Sequence, residues 1–129
     1  MPFTAVSIQD AFWLPRIETN RDVTIPYDFQ KCEETGRIDN FLKAAGKLDG
    51  PHTGLQFNDS DVFKIIEGAA YALQVERDPV LEAYIDDIIV KIGAAQEPDG
   101  YIYTARTIDP AHPHPEAGPE RWSSLTMSH

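Results

Sequence analysis

The chain has 129 residues, 21 acidic against 11 basic, and a formal charge of −10. That length suits one domain with one core, and the acidic balance, with no Lys or Arg cluster to interrupt it, excludes nucleic acid and anionic membrane as partners. Cys32 is the only cysteine, which excludes an intramolecular disulfide and a Cys-based zinc site assembled from this chain alone.

The N-terminus has neither a basic start nor an apolar run of signal-peptide length, and no segment approaches a membrane span, so a cytoplasmic chain is expected. Residues 4–13 form a short apolar run ending in Phe12-Trp13, followed by Pro15. This predicts a short extended N-terminal arm that packs its aromatics on a helical body, with Pro15 interrupting any regular element.

A helical pattern starts at Pro26, with Tyr27, Cys32, Ile38, Phe41, Leu42 and Ala45 on its apolar side. Gly36 falls inside it, and because glycine costs about 1 kcal/mol in a helix interior, two shorter helices or a kink are expected there. Within the block Gly36-Arg37-Ile38-Asp39-Asn40-Phe41, Arg37 and Asp39 are placed to pair locally, and Asn40 to cap or bridge. Cys32 reads as a packed apolar residue, its thiolate disfavoured by Glu33 and Glu34.

Residues 47–58 hold Gly50, Pro51, Gly54 and Asn58 and read as a loop. The next helix is the clearest, with Val62, Ile65, Ile66, Ala69 and Leu73 in one stripe and Asp59 or Ser60 as its N-cap. Asp61, Lys64 and Glu67 share a polar face that serves either a site or a surface ion-pair ladder. Asp78-Pro79 then supplies a cap and a first-turn proline for a second stripe, Leu81, Ile85, Ile88 and Ile92. Two antiparallel helices with a short connection are the expected result.

Gly93 and Pro98-Asp99-Gly100 end that helix, and Tyr101-Ile102-Tyr103-Thr104 reads as extended. The turn is flanked by Gln96 and Tyr101, both able to hydrogen-bond a ligand, although Pro-Asp-Gly also serves as a plain turn. From Asp109 to Glu120 four prolines, two histidines and a glycine exclude regular structure and suggest a lid. His52, His112 and His114 are expected in solvent. No carboxylate pair stands out for general acid and base work, and the expected catalytic and metal-ligand sets within this chain are empty.

The blocks Gly36–Phe41, Asn58-Asp59-Ser60-Asp61-Val62-Phe63-Lys64 and Gln96-Glu97-Pro98-Asp99-Gly100-Tyr101, in that order and spacing, resemble the N-terminal part of glycoside hydrolase family 127, the β-L-arabinofuranosidase-like enzymes. The resemblance implies an all-α fold in which residues 1–129 are the N-terminal helices of a single (α/α)6-barrel catalytic domain, with carbohydrate as substrate. It also implies substrate contacts at His129, which follows the Arg121-Trp122-Ser123-Ser124-Leu125 segment, and at Gln30, ahead of the Gly36 block. The family's cysteine nucleophile, grouped with other cysteines and a glutamate around zinc, would lie far downstream, so zinc is implied for the full-length protein and no cofactor for this chain. The polypeptide alone is then expected to be inactive and to self-associate through Ile65-Ile66-Ala69 and Ile85-Ile88-Ile92. The competing reading is a non-catalytic small helical module that binds a glycan or a protein.

Overall fold

The computed structural model describes residues 2–110. It is all-helical: a 3-10 turn at Phe3–Ala5, α1 (Leu14–Thr19), a π-helical turn at Asn20–Thr24, α2 (Ile25–Glu34), α3 (Arg37–Ala44), α4 (Asp59–Val75), α5 (Pro79–Ala95) and α6 (Thr104–Ile108), with no strand among the described residues.

The helical region begins a dozen residues before Pro26. Pro15 starts α1 instead of interrupting it, because a first-turn proline gives up only an N–H that has no helical partner anyway. Pro26 sits in the first turn of α2, directly after the π-helical turn. A proline ring inside a continuous helix collides with the preceding turn, and the widened turn, closed by Ile25 N–H on Asn20 O, re-spaces the carbonyls ahead of it. The arm itself is non-helical over residues 6–10, but its aromatics do not pack as expected. Phe12 and Trp13 stay exposed and lie edge-on to each other at 5.0 Å, and Phe3 is the ring that reaches the body, against Tyr71 of α4 at 5.5 Å.

Gly36 divides the next segment into α2 and α3. Its φ of 72° is left-handed, which only glycine adopts cheaply, and its N–H bonds Glu33 O at 3.0 Å to close α2 while α3 starts at the following residue. At the far end of α3, Gly46 repeats the device at φ 67°, and Lys47 N–H returns to Leu42 O at 2.8 Å. Asp78 caps α5 as expected, its Oδ1 accepting from Val80 N at 2.9 Å and Leu81 N at 3.2 Å.

The core joins Ile25, Phe29 and Cys32 of α2, Ile38 and Phe41 of α3, Val62 and Ala69 of α4, and Leu81, Ile85, Ile88 and Ala95 of α5. Short α3 is its centre and touches α2, α4, α5 and α6. Tyr27 is exposed where the core position belongs to Phe29, whose ring meets Tyr84 at 5.1 Å. The stripes Ile65-Ile66-Ala69 and Ile85-Ile88-Ile92 are covered from within the chain: Ala69, Ile85 and Ile88 are buried, and Ile65, Ile66 and Ile92 pack against the core. The apolar side chains left in solvent are others, notably Val80, Ile89 and Val90 on α5 and Tyr71 and Val75 on α4. No helix among the described residues is long and apolar enough to cross a membrane.

Candidate functional site

Four polar side chains are buried among the described residues: Asn40, Asn58, Asp59 and Thr104. They lie on α3, at the head of α4 and at the head of α6, and Asn40, Asp59 and Thr104 tie neighbouring segments together.

Asn40, fully enclosed, holds the loop before α4. Its Oδ1 accepts the Thr53 amide at 2.9 Å, and its Nδ2 donates to Thr53 O at 2.9 Å and lies 3.1 Å from His52 Nε2. Since Oδ1 must face an N–H, the carboxamide orientation is determined, and His52 Nε2 is left as the acceptor. Lys43 adds Nζ donations to Pro51 O at 2.9 Å and Thr53 Oγ1 at 2.7 Å. His52 is therefore part of a clamp and not the solvated side chain expected, while Asn40 bridges as expected. Arg37 does not pair with Asp39; its Nε reaches Asp61 Oδ2 at 3.1 Å and its guanidinium donates to Thr35 Oγ1. Asp61 thus pairs with Arg37 of α3 and not with Lys64 on its own helix.

Asp59 is not the side-chain cap of its own helix. Asn58 occupies the N-cap position, without a side-chain capping bond, and the Asp59 carboxylate turns to the start of α6. Thr104 donates its backbone N–H to Oδ2 at 2.8 Å and its hydroxyl to Oδ1 at 2.7 Å. Burial pushes the Asp59 carboxyl above its ordinary value, and the two Thr104 bonds pull it back down. Each oxygen accepts one bond from Thr104, so this carboxylate fastens the start of α6 to the head of α4.

The Gln96–Tyr101 segment closes on itself. Gly100 N bonds Glu97 O at 2.8 Å, Glu97 N bonds Tyr101 O at 2.9 Å, Tyr101 N bonds Asp99 Oδ1 at 3.0 Å, and Gln96 Nε2 donates to Gly100 O at 3.0 Å. Gln96 is therefore spent on the turn. Tyr101 is not: among the described residues its buried hydroxyl finds no hydrogen-bond partner, and neither does Asn58 Oδ1. Burial raises the Tyr101 phenol, Arg106 opposes the shift, and Glu97 and Asp99 add to it, so the hydroxyl keeps its proton near neutrality. Tyr103 is extended as expected, but Thr104 already begins α6.

Gln30 lies on the exposed side of α2, where Nε2 donates to Glu34 Oε1 at 2.6 Å. It does not join the buried polar groups. His129, His112, His114 and most of the proline-rich Asp109–Glu120 segment lie outside the described residues. Cys32 is buried in the core and its thiol is pushed up to about 11, first by burial, with Arg37 pulling the other way and Asp61, Asp28 and Glu33 adding to it. Enclosure, more than the glutamates, keeps it a thiol. Among the described residues no three His, Cys, Asp or Glu side chains are grouped to hold a metal ion. Zinc therefore finds no fitting ligand set here. Thr104 was legible from sequence only as the end of an extended run, since it finds its partner 45 positions away and no local pattern reports it.

The model of the β-L-arabinofuranosidase GH127 catalytic domain matches residues 5–129. A non-reducing end β-L-arabinofuranosidase of Bifidobacterium longum subsp. longum is 33% identical over 118 residues, covering 77% of this chain and 18% of the relative. A solved GH127 β-arabinofuranosidase superposes with a TM-score of 0.82 at 55% identity, over 94% of this chain and 19% of that one. A GH127 β-L-arabinofuranosidase from Geobacillus stearothermophilus T6 gives 0.80 at 38% identity, over 93% and 19%. This chain spans about a fifth of the length of these relatives. With a family match over nearly all of its length and helices that overlay those of solved members, the chain belongs to the GH127 β-L-arabinofuranosidase family, and its helices are N-terminal helices of that (α/α)6 barrel.

Proposed function

We propose that this polypeptide supplies wall and rim to the pocket of a retaining glycoside hydrolase that acts on β-L-arabinofuranosides or related glycans, and that by itself it hydrolyses nothing. The observation that carries this reading is the overlay of its helices on a GH127 β-arabinofuranosidase at 55% identity over a fifth of that enzyme. The chemistry agrees with the second half of the proposal. A retaining mechanism needs a nucleophile and an acid/base group facing each other across the anomeric carbon. Here the Asp59 carboxylate is occupied by Thr104, and the Cys32 thiol is buried and protonated.

Residues 1–129 on this reading form part of one barrel domain, with Gln30 and His129 as sugar contacts and zinc held by polypeptide other than the described residues. Carbohydrate is the partner, and the outer apolar side chains of α5, Val80, Ile89 and Val90, support self-association of the isolated chain. A cytoplasmic location belongs with the proposal, supported by a single cysteine kept as a buried thiol. The test is incubation of the pure chain with p-nitrophenyl β-L-arabinofuranoside, and of a longer polypeptide from the same reading frame with the same substrate. No release from the chain and release from the longer protein are expected. Turnover by the chain alone, or a longer protein inert on arabinofuranosides, overturns the proposal.

A further inference from the structure

The chain contains two Asp-Gly pairs, Asp49-Gly50 and Asp99-Gly100, and the fold treats them in opposite ways. Such a pair is chemically special because the amide nitrogen that follows the aspartate can close a five-membered ring on the side-chain carboxyl, and glycine, lacking a Cβ, lets the backbone turn far enough to do so. At Asp99-Gly100 both reacting groups are engaged. Gly100 N donates to Glu97 O at 2.8 Å, Asp99 Oδ1 accepts from Tyr101 N at 3.0 Å, and Gln96 Nε2 holds Gly100 O at 3.0 Å.

At Asp49-Gly50 neither group is engaged. Among the described residues the Asp49 carboxylate has no hydrogen-bond or ion-pair partner and the Gly50 N–H has no acceptor. Both residues are exposed in the loop between α3 and α4. The surroundings leave room for the ring, since beyond its chain neighbours the only atom within contact of a Cβ built on Gly50 is Lys43 Cε, at 3.8 Å.

We propose that Asp49-Gly50 is a site of spontaneous isoaspartate formation in the folded chain, and that Asp99-Gly100 is protected by the turn that holds it. The Gly50 nitrogen gives up its proton and bonds Asp49 Cγ, the protonated carboxyl loses its hydroxyl as water, and a succinimide forms. Water then adds to one of the two imide carbonyls. Opening at the former main-chain carbonyl leaves Asp49 joined to Gly50 through its side-chain carboxyl carbon, with the α-carboxylate free. One water has left and one has returned, so the product has the mass of the original chain. Its main chain gains a methylene just ahead of Pro51 and Thr53, where Lys43 and Asn40 pin the loop to α3. The site needs no sugar and stands apart from the pocket reading above.

The experiment ages the full chain for weeks in near-neutral buffer, digests it with trypsin, and probes the peptides with protein L-isoaspartate O-methyltransferase and radiolabelled S-adenosylmethionine, which mark isoaspartyl residues that mass does not reveal. The two pairs fall in separate peptides, 48–64 and 92–106. Label is expected to accumulate in the first at least about tenfold faster than in the second, the factor set by one net hydrogen bond that must break before Asp99 reacts. In a chain aged unfolded in urea the two peptides are expected to label at similar rates, because the protection at Asp99 belongs to the fold. Asp49→Glu, a change in an exposed loop that would demand a larger and slower-forming imide ring, is expected to remove the label from 48–64. Equal labelling of the two peptides in the folded chain, no label in 48–64, the same preference in the unfolded chain, or label that survives Asp49→Glu overturns the proposal.

Discussion

Thr104 gives both its amide and its hydroxyl to the carboxylate of Asp59, at 2.8 and 2.7 Å, across 45 positions of sequence. The first turn of one helix thereby caps the first turn of another. Removing the carboxylate strands both Thr104 donors in the interior, so Asp59→Leu is expected to destabilise the chain by about 2–4 kcal/mol. Asp59→Asn is expected to cost less than half as much, since its oxygen still accepts the amide and its NH2 donates to the hydroxyl. Chemical unfolding of the two variants checks the ranking; equal losses would show that the hydrogen bonds are not what Asp59 contributes.

The same carboxylate makes stability depend on pH in a direction opposite to that of most acidic side chains. Burial raises the Asp59 carboxyl in the folded chain above its ordinary 3.8, so the folded state holds this proton more tightly than the unfolded state. Its contribution is full below 3.8 and is lost as pH rises through the raised folded value. The stability of wild type minus that of Asp59→Asn, measured from pH 3.5 upward in about half-unit steps, is expected to fall with rising pH. A difference that rises or stays flat refutes the assignment.

Gly36 and Gly46 share a left-handed backbone, at φ 72° and 67°, but not their surroundings. A Cβ at Gly36 would meet Thr53 Cγ2 at 3.1 Å and Cβ at 3.2 Å, whereas one at Gly46 meets nothing. Gly46→Ala is expected to cost about 1 kcal/mol from backbone strain alone. Gly36→Ala is expected to cost at least about 1 kcal/mol more, because Thr53 is held by Asn40 and Lys43 and cannot step aside. Urea unfolding of both variants reads the difference, and equal costs would mean that the loop yields.

Asn40→Ala leaves the Thr53 amide and carbonyl without partners and opens a cavity beneath the loop. A loss of about 2–4 kcal/mol is expected, together with faster hydrogen exchange at Thr53 than in the helices. Exchange that accelerates uniformly over the chain, with no excess at Thr53, would show that Asn40 supports the core in general and not the loop.

Cys32 is buried, with a thiol raised from 9.0 to about 11. At pH 8 the native chain is expected to react with a disulfide reagent at least about a hundredfold more slowly than the unfolded chain, from the reduced thiolate fraction alone. Rapid modification of folded protein would place the thiol at the surface.

Much of the helical framework was readable from residues. The break at Gly36, the cap and proline at Asp78-Pro79, and the stripes through Val62 and Ile88 are local signals, in which the residue and the element it shapes lie within a turn or two of each other. Pro15 misled for a local reason as well, since proline reads as an interruption unless a first-turn position accommodates it, whereas Pro26, read as a helix start, does sit in the first turn of α2. The candidate site was half legible. Asp59, Asn40 and Tyr101 stood out as polar residues at element ends, but the partners Thr104 and Thr53 carried no mark of their own.

The sequence by itself determined the all-helical class, the main element boundaries and the family, because helix periodicity, caps and short blocks are written in residues close along the chain. Only the tertiary structure decided that Asp59 caps a distant helix and not its own, that His52 is clamped instead of solvated, and that Phe29 and not Tyr27 enters the core. Each of these depends on which polar atoms meet across helices, and a buried polar group is governed by the partner it finds in space, about which its sequence neighbours say nothing.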